Sequence, residues 1–254
     1  MIKKERQERI LELLNRKEFV TVAEISDALF ISPSSVRRDL SELERKHILK
    51  RSYGGARLIG AKSNVVTFGA RSYDFVAAKQ AIAAKAAKLV KEGSVVFLDQ
   101  SSTCYFLAME LTKFQNLTVV TNNLEILSLL SRTALTVIAT GGTVSRENAN
   151  CLIGGGAQRT FSEIRADVMF FSANGITESG VITDCTQEEI FLRHAMLASA
   201  ARKVFLCDSS KLGRQAPYVQ CDLSRIDALV SETDVFRPLA QKFPNLTIID
   251  NYVP

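Results

Sequence analysis

Ser32-Pro33-Ser34-Ser35-Val36-Arg37-Arg38-Asp39-Leu40-Ser41-Glu42-Leu43-Glu44 decides the fold at the start of this 254-residue chain. Ser32 suits a helix N-cap, and Pro33 suits the first helical position, where its missing N–H would be unpaired anyway. Val36, Leu40 and Leu43 share one face at i, i+4 and i+7, leaving Ser34, Ser35, Arg37 and Arg38 to project elsewhere. Short hydroxyls and adjacent guanidinium groups near a helix N-terminus fit a DNA groove. Hydroxyls reach base edges, and arginine takes phosphate or the O6 and N7 of guanine. An ordinary helix with a solvated basic face carries the same residue types, so the flanking residues must separate the two readings.

Residues 9–14 read as an amphipathic helix. Residues 21–29 read as a second, with Thr21 and Glu24 spaced as a capping box and Val22, Ile25 and Leu29 as its apolar stripe. Phe30 and Ile31 alone separate it from Ser32, the spacing of a helix-turn-helix. Residues 48–53 and 56–59 are strand-like around the Gly54-Gly55 turn. Three helices and a hairpin make a winged helix over residues 1–59, with Lys50, Arg51 and Arg57 on the wing beside the groove. Residues 1–60 hold 13 Lys+Arg against 9 Asp+Glu, so four of the chain's five net positive charges lie in its first quarter. That excess pulls on the phosphates of double-stranded DNA. General RNA binding lacks the interleaved aromatics that base stacking needs.

These residues resemble the N-terminal signature of the DeoR family of bacterial transcription regulators. The resemblance rests on Ser32, Arg37-Arg38-Asp39-Leu40, Leu43-Glu44 and Gly54-Gly55-Ala56. Ser35 stands where the family usually has threonine, and keeps the hydroxyl. The resemblance implies a regulator, expected here as the repressor of a carbohydrate-metabolism operon, and a homo-oligomer. The dimer or tetramer expectation also has a physical basis, because one recognition helix reads only a few base pairs.

Residues 60–77 read as a linker, yet Val65, Val66, Phe68, Tyr73 and Phe75 are apolar. Such side chains gain by docking, which predicts that part of the segment packs on the second domain. Residues 78–254 read as a larger, mostly parallel α/β domain. Apolar runs at 95–99, 117–121, 135–139, 168–172, 204–207, 228–230 and 246–249 alternate with helical patterns at 77–91, 103–113 and 124–131. Ligands of such sheets bind beyond the carboxyl ends of the strands. Polar or glycine residues stand there at Asp99 to Thr103, Thr121-Asn122-Asn123, Gly141-Gly142, Asn174-Gly175 and Asp208 to Lys211.

Ser101, Ser102 and Thr103 at a helix N-terminus suit a phosphate. Asp99 suits sugar hydroxyls, and Lys211 suits the anion as a point charge. Turn chemistry and capping account for any one of these loops. Five in one crevice favour a phosphorylated ligand, with Thr121, Asn122, Gly141, Gly142 and Asn174 as further candidate contacts.

This half resembles the family's effector-binding domain, which is related in fold to ribose-5-phosphate isomerases. The matching positions include Lys79, Asp99, Thr121-Asn122, Gly141-Gly142, Gly154, Ala166-Asp167, Gly180, Glu188-Glu189 and Asp208-Ser209-Ser210-Lys211. Ser101 replaces the family's usual glycine, and Ala78 its usual glutamate. The resemblance implies a sugar-phosphate effector and adds Glu188 to the candidate contacts. The alternative is an isomerase-like enzyme in which Asp99, Glu188 or Lys211 performs acid–base work.

Five cysteines without C-x-x-C spacing, and only His47 and His194, predict small buried hydrophobes rather than a metal site. No cofactor is expected. No apolar run approaches the roughly 20 residues that span a bilayer, and no signal-peptide pattern opens the chain, so a cytoplasmic protein without a membrane partner is expected.

Overall fold

The computed structural model describes residues 2–17, 19–46, 48–52, 54–58 and 68–251. It divides into two compact units, Met1–Val76 and Ala77–Pro254. His47, Tyr53 and residues 59–67, including Val65 and Val66 of the expected linker, lie outside the described residues.

The first unit runs α1 (Lys3–Arg16), β1 (Val20–Thr21), α2 (Val22–Leu29), α3 (Pro33–Arg45), β2 (Leu49–Ser52), β3 (Gly55–Leu58) and α4 (Phe68–Tyr73). Thr21 Oγ1 accepts from Glu24 N, and the Glu24 carboxylate accepts from Thr21 N, closing the capping box that starts α2. Ser32 Oγ accepts from Ser35 N at 3.3 Å and starts α3. Ile10, Leu11, Ile25, Val36, Leu40, Leu43 and Leu49 are fully buried in one core. β3 pairs antiparallel with both β1 and β2. A Cβ at Gly55 would lie 2.3 Å from the Val20 carbonyl oxygen, so the close approach of β1 requires glycine there. α4 lies beside α1, and Phe68 is buried, so this part of the expected linker belongs to the first unit.

The second unit begins with α5 (Val76–Ala87), β4 (Val95–Leu98), α6 (Ser102–Leu111), β5 (Thr118–Thr121), α7 (Leu124–Leu130) and β6 (Thr136–Ala139). It continues with β7 (Thr143–Val144), β8 (Leu152–Ile153), α8 (Gly155–Glu163), β9 (Ala166–Phe171), β10 (Gly175–Ile176), β11 (Val181–Asp184) and α9 (Gln187–Ser199). It ends with β12 (Ala200–Leu206), β13 (Tyr218–Asp222), β14 (Ala228–Val230), α10 (Arg237–Lys242) and β15 (Thr247–Ile249).

Seven of these strands form a sheet in the order β15-β14-β12-β9-β4-β5-β6. All its pairings are parallel. Val96 to Leu98 and Val168 to Phe171 are buried whichever way they point, as expected for strands covered on both faces. The chain runs outward through β4, β5 and β6, then returns to place β9 on the other side of β4. Strand order therefore reverses between β4 and β9, which opens a crevice beyond their carboxyl ends. A separate antiparallel sheet, β10-β11-β13, and the β7–β8 hairpin complete the unit; neither they nor α8 and α9 are read from the sequence.

Candidate functional site

In the first unit, Ser34, Arg37 and Arg38 are exposed on α3, while Ser35 is partly covered. The Ser34 and Ser35 hydroxyls lie 2.9 and 3.0 Å from Ser32 Oγ, so the cap also gathers them at the helix start. Asp39, next to the exposed pair, turns inward. It is 1 % exposed and binds the Arg6 guanidinium of α1 through both oxygens. The Arg37-Arg38-Asp39 run thus divides its work between an outward face and a clamp that fixes α3 against α1.

Lys50 and Arg57 face each other across the β2–β3 pair. Arg51 is committed differently. Its N–H donates to Glu44 Oε1 at 2.9 Å and its Nη1 to Ser41 Oγ at 2.5 Å, while Ser41 Oγ–H donates to the Arg37 carbonyl. Arg51 therefore fastens the wing to the outward face of α3. A cleft of about 500 Å3 opens between the start of α2 (Thr21, Val22, Ala23), Pro33 and Arg37 of α3, and Arg51, Ser52, Gly54 and Gly55. A second, of about 450 Å3, is lined by Phe19, Lys50, Arg51, Ser52 and Arg57. Arginines along concave walls beside an exposed helix are suited to a polyanion backbone.

In the second unit, buried polar side chains gather beyond the carboxyl ends of β4 and β9, where the strand order reverses. Asp99, at the end of β4, is fully buried. Its Oδ1 accepts from Ser101 N at 2.9 Å, and its Oδ2 from Ser172 N at 3.2 Å and from Arg193 Nε at 3.0 Å. Ser172, at the end of β9, accepts a 2.6 Å bond from Lys211 Nζ. Arg193 of α9, 1 % exposed, also meets Asp184 Oδ2 at 2.7 Å, Glu189 Oε2 at 3.4 Å and Gln220 Oε1 at 3.4 Å. Gln100 Nε2 donates to Glu189 Oε2 at 2.8 Å, and Gln100 Oε1 accepts from Asn122 at 3.4 Å. A continuous chain of contacts thus joins Lys211, Ser172, Asp99, Arg193, Glu189, Gln100 and Asn122.

Electrostatics set the state of this chain. Burial works against the Arg193 charge, but Asp184, Asp99 and Glu189 outweigh it and raise its pKa, so it is a permanent cation. Burial also opposes the Asp208 charge. Lys211, the Ser210 hydroxyl and Lys79 overcome it and hold the carboxyl below its ordinary range. Asn122 Oδ1, Asn148 Oδ1 and Gln220 Nε2, on side chains bonded to members of this chain, are among the buried polar atoms without a hydrogen-bond partner in the described residues. Such groups are rare in folded proteins, and three on one contact chain suit a polar ligand.

The sequence-derived candidates fall into three groups. Asp99, Asn122 and Lys211 belong to the contact chain, Ser101 meets it through its backbone N–H while its side chain caps α6, and Ser102, Thr103 and Thr121 are buried beside it in sequence. Thr121 Oγ1 accepts from Asn123 N at 3.1 Å, a turn contact. Asn174 is partly covered, at the end of β9. Gly141 and Gly142 are exposed at the β6–β7 turn, where a Cβ on Gly142 would lie 2.3 Å from the Ile153 carbonyl oxygen. Glu188 is exposed, and its neighbour Glu189 is the carboxylate that joins the chain. Sequence reasoning missed Arg193, Asp184, Asn148 and Gln220. The i, i+4 spacing of Glu189 and Arg193 was the available signal. Cys104, Cys151, Cys207 and Cys221 are buried, and Cys185 is partly covered.

An exposed basic helix with a wing, and a separate α/β unit with a polar crevice, define the class of DNA-binding regulators that carry a sensor domain. The chain belongs to the DeoR family of transcription regulators: the DeoR-like helix-turn-helix domain matches residues 6–62 and the DeoR C-terminal sensor domain residues 74–233. The HTH-type transcriptional regulator GolR of Listeria innocua is 35 % identical over 94 % of this chain and 94 % of its own. The lactose phosphotransferase system repressor of Streptococcus mutans is 34 % identical over 91 % of this chain and 93 % of its own. Among solved structures, ribose 5-phosphate isomerase A of Methanocaldococcus jannaschii aligns over 53 % of each chain with a TM-score of 0.39 and 20 % identity, a likeness too loose to bear on chemistry. No helix among the described residues is long and apolar enough to cross a membrane.

Proposed function

We propose that this regulator is a repressor of carbohydrate-metabolism genes whose operator affinity changes when a phosphorylated sugar occupies the β4/β9 crevice. The observation that carries the reading is the buried contact chain from Lys211 to Asn122, cationic at one end and amide-lined at the other. A sugar phosphate has the matching division between anion and hydroxyls. The repressor name of the Streptococcus relative supports the sign of regulation. On this reading Ser34, Ser35, Arg37 and Arg38 contact DNA bases or phosphates, and Lys50 and Arg57 contact phosphate. Arg51 is a positioning residue. The active form is a dimer or tetramer that presents two copies of α3 to two half-sites.

The crevice binds without turnover. Both Asp99 oxygens are engaged by Ser101, Ser172 and Arg193, which leaves that carboxylate poorly placed to act as a base. A thermal-shift panel of aldose, ketose and alditol phosphates tests the reading. We expect stabilisation by at least one of them, reduced in Lys211→Ala, and no interconversion of aldose and ketose phosphates. Isomerisation at ordinary enzymatic rates would overturn the binding-only assignment.

A further inference from the structure

Asn148, on the loop between β7 and β8, is 2 % exposed, and Asn122, at the end of β5, is fully buried. Each leaves its side-chain carbonyl oxygen without a partner among the described residues. Their orientation follows from the groups around them. Asn148 Nδ2 lies 3.3 Å from Glu189 Oε1; a carboxylate only accepts, so the amide nitrogen must face it and the oxygen must point away. The other Glu189 oxygen fixes Gln100 in the same way, with Nε2 toward the carboxylate and Oε1 toward Asn122. Asn122 Nδ2 then faces three acceptors, Gln100 Oε1 at 3.4 Å, Cys151 Sγ at 3.2 Å and the Leu152 carbonyl at 3.1 Å. The Glu189 carboxylate thus orients three amides in sequence, and the two amide atoms left over are both acceptors.

Two unpaired buried acceptors bind a group that donates hydrogen bonds, and they repel a phosphate. The cations that attract an anion, Lys211 and Lys79, are instead grouped about Asp208. We infer that Asn122 and Asn148 form the hydroxyl-reading end of the crevice, that Asn148 is a specificity-determining residue, and that the bound sugar phosphate lies with its phosphate toward Lys211. This rests on the effector reading above and adds to it the ligand's orientation and the residue that discriminates between sugars. A site built to receive a hydroxyl rejects the analogue that lacks it, because its own polar groups are then left unpaired. Arg193 assists as a positioning residue, since it holds Glu189 at 3.4 Å.

The test measures binding of the full-length protein by calorimetry. The tightest sugar phosphate of the thermal-shift panel is compared with each of its singly deoxygenated analogues. In the parent protein at least one deoxygenation should weaken binding about tenfold. In Asn148→Ala that ratio should fall to near one, while in Lys211→Ala both ligands should weaken with the ratio preserved. A cooperative melt of Asn148→Ala near that of the parent shows that the loop change has not unfolded the unit. Asn148→Ser serves the same comparison if alanine lowers the melt. A folded Asn148 variant that keeps the full tenfold preference would overturn the inference and leave the effector reading standing. Failure of every sugar phosphate to bind the parent protein would overturn the effector reading, and this inference with it.

Discussion

On α3, Arg37 and Arg38 are exposed and make no ion pair among the described residues, whereas on α9 Arg193 is almost wholly buried and bonded to Asp99, Asp184 and Glu189. The same guanidinium serves two physical ends. An exposed, unpaired charge is available to a partner, and its removal leaves the fold intact. A buried charge facing three carboxylates is available to nothing outside, and its removal strands the carboxylates. Under the proposed function the exposed pair contacts DNA and Arg193 shapes the crevice, a division that can be broken by measuring stability and binding on the same variants.

The largest effect is expected at the buried end. Arg193→Met leaves Asp99, Asp184 and Glu189 without their shared cation, and breaking a buried pair in this way costs about 3–5 kcal/mol. Urea unfolding monitored by circular dichroism should show the loss. A change below about 1 kcal/mol would mean that the three carboxylates are paired or solvated by other means.

At the exposed end the pattern should invert. Arg37→Ala and Arg38→Ala should melt like the parent protein. At least one should weaken operator binding, by roughly 1–3 kcal/mol with relaxed specificity if it reads a base, or with a salt slope reduced by about 1 if it holds a phosphate. Gel-shift titrations at several salt concentrations distinguish these outcomes. Unchanged affinity in both variants would remove α3 from the reading role.

The two regions also differ in how far they were legible in the sequence. α3 is amphipathic: Val36, Leu40 and Leu43 are buried while Arg37 and Arg38 are exposed, so periodicity, cap and charge all point to one surface. α9 buries Ile190, Leu192, Ala195, Met196 and Leu197 together with Glu189 and Arg193. The exposed face of α9 carries Phe191 and Ala198 beside Gln187 and Glu188, so no polar stripe reveals its inner face, and its buried arginine looks like any surface cation in the sequence. The parallel strands were legible because burial on both faces makes them continuous apolar runs. β7, β8 and β10 were not, since two-residue strands are too short to show a period. Glu188 and Glu189 are adjacent acids, and only packing decides which one turns inward.

A smaller effect should appear with pH. The native pKa of Asp208 is depressed, since Lys211, Ser210 and Lys79 together outweigh its burial. Its contribution to stability is therefore present above the unfolded value of about 4 and is lost as pH falls through the lower native value. Asp208→Asn should flatten the acid side of the stability curve below about pH 4. An unaltered acid limb in that variant would show that Asp208 is not held ionised by its neighbours.

The smallest effect is expected at Phe30, the C-cap of α2, which is left-handed at φ 52° and 94 % exposed. Its ring gains almost no burial to offset the backbone cost. Phe30→Gly should stabilise the protein by roughly 0.5–1 kcal/mol in thermal melts. If operator affinity falls as well, the exposed ring belongs to the reading face beside Ser34.

The proposed function requires the crevice and the reading face to be coupled, and one titration measures that coupling. A labelled operator fragment, selected from genomic DNA, is bound to the parent protein and to Lys211→Ala, and anisotropy is followed as the stabilising sugar phosphate is added. We expect the sugar to change operator affinity of the parent by about 5–150-fold, the usual range of coupling between two sites. We expect Lys211→Ala to bind the operator and to ignore the sugar. Operator affinity that stays the same in the parent protein at saturating sugar phosphate would contradict the proposed function.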